Sequence, residues 1–170
     1  MRLYKPLRIA CDGESASGKS LASKLIAKKY NLFCLNSGLI YRYASYLIIK
    51  NRPKKNIPYL KNKFKNLNYK KINSLKLHTQ EISYHVSILA KQKKVRQLVK
   101  TFQRKIIKRY PRIVVEGRDS ASSILKKNPR YTIAFYFICK LSVASFRRWR
   151  DLKKKIPLRE VKKSLKNRTL

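Results

Sequence analysis

The stretch GESASGKS, Gly13 to Ser20, follows directly on an apolar run from Leu7 to Cys11 and opens a helical pattern from Lys19 to Tyr30. Strand, glycine-bearing loop and helix in that order constrain the fold more than any other feature of the chain. The pattern G-x-x-x-x-G-K-S is that of a phosphate-binding loop. Gly13 and Gly18 let backbone N–H groups close around phosphate oxygens with no side chain in the way. Glu14, Ser15, Ala16 and Ser17 supply the intervening amides, Lys19 a point charge for the β and γ phosphates, and Ser20 a hydroxyl for Mg²⁺. The helix carries Leu21, Leu25 and Ile26 as its apolar residues and turns its positive dipole end toward the same anion.

Further apolar runs at Leu32 to Leu35, Ile113 to Val115 and Tyr131 to Cys139 read as buried strands separated by helical patterns. That alternation predicts an α/β fold with a parallel sheet. Helices are expected near Leu39 to Lys50, Thr79 to Ala90, Val95 to Tyr110, Ser142 to Lys154 and Leu158 to Lys166. From Asn51 to Lys76 the chain is rich in Lys and Asn, carries Pro53 and Pro58 and shows poor periodicity, which reads as a small mobile insert. At 170 residues the chain suits one domain with a substantial core. No secretory signal is recognisable, and the longest apolar run is too short to span a bilayer, so a cytoplasmic protein with no membrane association is expected. Cys11, Cys34 and Cys139 lie singly in apolar segments and read as reduced, buried residues.

Forty-four Lys and Arg against 7 Asp and Glu give a formal charge of +37. Such a charge predicts salt-sensitive, non-specific binding to nucleic acids. The cations are spread along the whole chain, and the abundance of Asn, Ile, Tyr and Phe points to AT-rich codons. Compositional drift and a selected polyanion surface therefore both remain open.

Three more clusters ask what receives a phosphoryl group: LNSGLIYR, Leu35 to Arg42; LHTQEISYHVSILAKQKKVR, Leu77 to Arg96; and VVEGRD, Val114 to Asp119. With the phosphate loop they stand in the order and spacing found in bacterial cytidylate kinases, and the chain resembles that family from residue 7 to about 168. The resemblance implies a P-loop nucleoside monophosphate kinase fold in a single domain: a core of about 1–50 and 111–170, an NMP-binding insert of about 51–110 and a lid of about 151–168. It implies ATP and Mg²⁺ as cofactors and CMP or dCMP as substrate. Two rivals stand beside it, a degenerate kinase fold kept as a basic RNA- or ribosome-binding protein and a P-loop kinase for another small acceptor.

By position, the resemblance gives Ser37 and Arg42 to the acceptor phosphate, with Arg118 reaching the same nucleotide, and Ser87, Arg96 and Asp119 to cytosine. Lys19, Arg118, Arg147 and Arg148 match the catalytic cations, and Arg168 matches a contact to the acceptor sugar. A guanidinium fork suits a phosphate dianion. Cytosine offers acceptors at O2 and N3 and a donor at N4, so Arg and Ser donors with one carboxylate complement it, whereas uracil sets a carbonyl against that carboxylate. Plainer readings stay open: Ser37 as a helix cap, Arg42 and Arg96 as solvated helix residues, Glu116 as holding a Mg²⁺-bound water or a structural ion pair. His78 and His85 read as helix-surface residues.

The departures are specific. Asn36 stands where the family usually has Asp, and His78 where it commonly has Arg. Ser145 and Trp149 fall where Arg is common, although Arg147, Arg148 and Arg150 resemble the family's cluster, and SASSILKKNP, Ser120 to Pro129, replaces the usual turn after GRD. The sequence stops two residues after Arg168, without the Asp, the second Arg and the last edge strand of the family pattern. From that end one expects an apolar edge at Tyr131 to Cys139, a monomer able to associate there, a mobile lid and low activity.

Overall fold

Leu7–Gly13 (β1) and Arg112–Gly117 (β3) pair in parallel, with Ile9 opposite Val114, Cys11 opposite Glu116 and Asp12 opposite Gly117. From Ile9 and Ile113 onward both strands are buried continuously, as expected of central parallel strands covered on both faces. The computed structural model describes residues 5–169, with side chains to Lys166. In the described residues the sheet has four strands in the order β2-β3-β1-β4, with Phe33–Asn36 as β2 and Ile133–Phe137 as β4. β4 is parallel to β1, Gly13 lying opposite Phe137, so β1, β3 and β4 all end at the edge where the glycine loop begins. Ligands of open α/β sheets bind outside that carboxyl edge.

Two compact units make up the chain, Met1–Cys34 with Arg112–Leu170, and Leu35–Pro111. In the first, Lys19–Lys29 (α1) packs on the sheet in a cluster of Ile9, Cys11, Ala27, Leu32 and Val114. The buried residues of α1 are Ser23 and Ala27, one turn apart, while Leu21 is 65% and Leu25 58% exposed. Leu21 and Leu25, two of the apolar residues of the helical pattern, thus do not face the core. Small residues let the helix approach the sheet closely, and Ile26 is the larger side chain packed against the cluster. β4 is not buried as its apolar run predicts, but it shows the apolar edge expected at Tyr131 to Cys139: Ile133 to Tyr136 are exposed, because in the described residues this strand ends the sheet and has β1 on one side only.

The first unit closes with Leu141–Asp151 (α7) and Leu158–Thr169 (α8). Ala144, Val161 and Leu165 form a second cluster that gathers Ala16, Cys139, Leu141, Trp149, Leu152 and Ile156. Of the stretch expected to be a mobile lid, about 151–168, the part from Leu158 onward is helical, with Val161 and Leu165 in this cluster. Among the described residues no strand follows α8, and none of the helices is long and apolar enough to cross a membrane.

The second unit is helical: Ser37–Asn51 (α2), Asn56–Lys65 (α3), Tyr69–Asn73 (α4), Gln80–Leu89 (α5) and Lys93–Arg109 (α6). α3 and α4 occupy the stretch that reads as an aperiodic insert. They are too short to display many repeats, yet each buries a pair of residues, Leu60 with Phe64 and Tyr69 with Ile72. Phe64 meets Phe102 of α6 with ring centroids 5.4 Å apart. The Tyr69 hydroxyl accepts from the Asn36 amide at 2.7 Å, tying α4 to the end of β2.

Candidate nucleotide phosphate site

Each glycine of the loop answers a different constraint. Gly13, at φ 151°, lies so close to β4 that a Cβ would collide with the Phe137 carbonyl. Gly18, at φ 91°, has room, since the nearest atom to an added Cβ is Arg147 Nη1 at 3.6 Å. It is needed for its left-handed backbone at the entry to α1. Ala16 also adopts a left-handed turn, φ 61°, at a cost of about 1–2 kcal/mol for an L-residue. Its side chain compensates in part by joining the α7–α8 cluster.

Within the loop the Glu14 carbonyl accepts from Ser17 Oγ at 2.9 Å and from Lys19 Nζ at 3.1 Å. This folds the Lys19 side chain back across the loop. Burial lowers the pKa of its ammonium, Glu116 opposes that shift, the Arg118 guanidinium adds to it and Asp12 opposes it. A phosphate beside Lys19 would relieve that destabilised charge.

At the foot of α1, Ser20 Oγ donates to Glu116 Oε1 at 2.6 Å. Glu116 is buried at the end of β3, and this hydroxyl is a partner for its carboxylate at the foot of the loop. Hydroxyl and carboxylate together are hard oxygen donors of the kind that hold Mg²⁺ or its waters. Asp12, not singled out by the sequence reading, is also buried; its Oδ1 accepts from the Ser120 amide and its Oδ2 from the Ala121 amide, both at 2.8 Å. Its signal was available: it is one of only seven acidic residues and ends a strand at the mouth of the loop. Those amides begin a π-helical turn, Ser120–Ile124, which closes the altered segment after GRD. Asp119 caps the turn, its carbonyl accepting from Ser123 N at 2.9 Å, and Arg118 is exposed just before it.

Above the loop lies a cleft of about 340 Å³ lined by Ala16, Gly18, Lys19, Ser20, Arg147, Arg150 and Asp151. Three cations against one carboxylate give it the charge balance that suits an anion. Arg147 reaches Cys139 Sγ at 3.9 Å with the Nη1 that overhangs Gly18. Arg148 is half-buried and does not line the cleft, whereas Arg150, packed over the Phe146 ring at 5.9 Å, does. Arg168 lies on α8 with its side chain outside the described residues. Cys11 and Cys34 belong to the core beside the loop, where burial pushes the Cys34 thiol up to about 11. Cys34 and Cys139 are half-buried rather than buried.

In the helical unit, Ser37 is buried and its Oγ accepts from Gln103 Nε2 at 2.7 Å. It does not cap α2: Asn36 does, through Oδ1 to the Leu39 amide at 3.0 Å. Arg42 Nη1 donates to the Leu77 carbonyl at 3.1 Å and to Ser83 Oγ at 2.9 Å, which fixes the guanidinium rather than leaving it solvated. Ser87 is exposed on α5 with its hydroxyl on the Tyr84 carbonyl, and Arg96 is exposed on the first turn of α6. His78 is exposed before α5. His85 is not a simple surface residue, since its Nδ1 is buried without a hydrogen-bond partner among the described residues. No group of three or more His, Cys, Asp or Glu is arranged to hold a metal among the described residues.

A parallel sheet ending in a glycine loop, a lysine folded over it and an arginine-lined cleft above define a nucleotide-phosphate-binding α/β protein of the P-loop kinase type. The cytidylate kinase family model matches residues 9–169, and the chain belongs to that family. It is 30% identical over 180 residues to a cytidylate kinase of Phytoplasma mali, covering 96% of this chain and 76% of that one. To a cytidylate kinase of Thermosipho melanesiensis it is 32% identical over 160 residues, covering 88% and 71%. Among solved structures an uncharacterized protein from Eubacterium ventriosum superposes with a TM-score of 0.52 at 18% identity, covering 96% of this chain and 73% of that one, a likeness of fold alone.

Proposed function

We propose that the protein transfers the γ-phosphoryl group of ATP to the α-phosphate of CMP or dCMP. The observation that carries this reading is the cationic cleft over the phosphate loop, with the Ser20–Glu116 pair at its foot, in a chain of the cytidylate kinase family. An oxygen of the acceptor phosphate attacks the γ phosphorus, the bond to the β,γ-bridging oxygen breaks, and ADP leaves. The acceptor is already anionic, so no side chain need remove a proton. The work of the protein is to align the two nucleotides and neutralise charge on the transferred group.

In this reading the loop amides and Lys19 hold the donor phosphates, while Arg147 and Arg150, rather than Arg147 and Arg148, approach them from the cleft. Ser20 and Glu116 would hold Mg²⁺, which when bound supplies charge neutralisation at the phosphates. Ser37 and Arg42 take the acceptor phosphate, Arg118 assists, and Ser87, Arg96 and Asp119 read the base. The charge of +37, with Glu81 the single acidic residue between 35 and 111, supports a salt-dependent affinity for polyanions as a secondary property. A cytoplasmic setting follows from use of ATP and CMP. The test is ADP release measured across CMP, dCMP, UMP, AMP and GMP. Turnover with CMP and dCMP well above the rest supports the proposal, and equal or absent turnover with all five overturns it.

A further inference from the structure

Arg118 and Asp119 form a two-residue bridge pinned on both sides by Asp12. On the near side, Gly117 lies opposite Asp12 in the parallel ladder. On the far side, both carboxylate oxygens of Asp12 accept the amides of Ser120 and Ala121 at 2.8 Å. The arrangement is buried, Asp12 being 5% and Ser120 0% exposed. Buried amides require partners, and bonds from N–H groups to a carboxylate are roughly twice as strong as neutral ones. A one-residue slip of the bridge would break both. Asp12 is also the residue immediately before Gly13, so a single side chain ties the first turn of the phosphate loop to the segment after β3.

We propose that Asp12 is a positioning residue for recognition of the acceptor nucleotide: its carboxylate sets the direction in which Arg118 and Asp119 leave the sheet. The proposal rests on the reading above that those two residues hold the acceptor. It also accounts for how the π-helical turn at Ser120–Ile124 is accommodated in this chain, where the sequence after GRD departs from the family pattern. Asp12 supplies both acceptors that start the turn, and the amide of Leu125 closes it onto the Ser120 carbonyl at 2.7 Å. Asp12 touches neither nucleotide in this scheme and acts through the peptide it holds.

The test is Asp12→Asn, which keeps size and one acceptor oxygen but turns an NH2 toward an amide it cannot accept. The expected result is a rise of roughly 10-fold in KM for CMP and a narrowed preference for CMP over UMP, with KM for ATP changed less than about 2-fold. A KM for ATP that rises as much as that for CMP overturns the proposal, and so does a lower melting temperature with both KM values unchanged. Should the variant not fold, hydrogen exchange on the wild-type protein decides. CMP should slow exchange of the amides between Gly117 and Leu125 and ATP alone should not, and no response to CMP overturns the proposal. A wild-type protein without turnover on CMP removes the functional reading and the proposal with it, an outcome distinct from turnover with unselective KM effects.

Discussion

Ser20 Oγ and Glu116 Oε1 stand 2.6 Å apart, joining the first turn of α1 to the end of β3 across 96 residues of sequence. Exchanging Glu116 for Gln keeps the shape and removes the charge from this pair. Residues that support a metal ligand in this way typically cost 10–100-fold in metal affinity or activity when altered. Glu116→Gln should raise the Mg²⁺ concentration for half-maximal turnover by roughly that factor, read from initial rates over a Mg²⁺ series. An unchanged Mg²⁺ dependence would assign Glu116 a structural role only.

Lys19→Ala should lower kcat at least ~10²-fold while leaving the circular dichroism spectrum intact, because it removes charge stabilisation at the loop rather than packing. Wild-type turnover by this variant would end the kinase reading.

The pH dependence of Lys19 has a definite sign. Its folded value lies below the ordinary 10.5, chiefly through burial, so in the free protein the charged form costs stability. That cost is fully present below the folded value and is relieved as pH rises from there toward 10.5. Lys19→Met should therefore raise the melting temperature of the nucleotide-free protein at neutral pH, with the difference shrinking toward pH 10.5. A variant less stable than wild type at pH 7 would contradict this.

Asp119→Ala should erode base selectivity. Losing the acceptor for the cytosine amino group leaves a polar group mismatched, about 1–3 kcal/mol or roughly 5- to 150-fold. The ratio of kcat/KM for CMP over UMP should fall by an amount in that range. A constant ratio would remove Asp119 from base reading.

Phe64→Ala should cost about 3–5 kcal/mol, since Phe64 is 4% exposed and stacks at a tilt against Phe102. Urea unfolding measures it, and a loss below 1 kcal/mol would mean that α3 contributes little to the helical unit.

The strand, glycine loop and helix at Leu7 to Lys29 were legible because their signal is consecutive: strand, glycines, Lys19, Ser20 and helix all follow one another, and local geometry needs little outside help. The four strands of the sheet and five further helices followed likewise from runs and periods along the chain, whereas the strand order β2-β3-β1-β4 came from the structure. Where the sequence misled, the deciding neighbour was distant. Which face of α1 turns inward depends on how close the sheet comes, and the answer favours Ser23 and Ala27 over Leu21 and Leu25. The order of residues 56–73 depends on α6 and β2 receiving Phe64 and Tyr69.

The sequence by itself determined the chemistry available: a phosphate loop, a scarce set of carboxylates, arginines in excess and the family to which they belong. Tertiary structure alone decided how those groups are employed. It set Asp12 under the amides of Ser120 and Ala121, Glu116 against Ser20, Gln103 on Ser37 and Arg147 above Gly18. Each of these pairs is separated by 66 residues or more, and contacts at that range are specified by sheet register and helix packing, which no local pattern encodes.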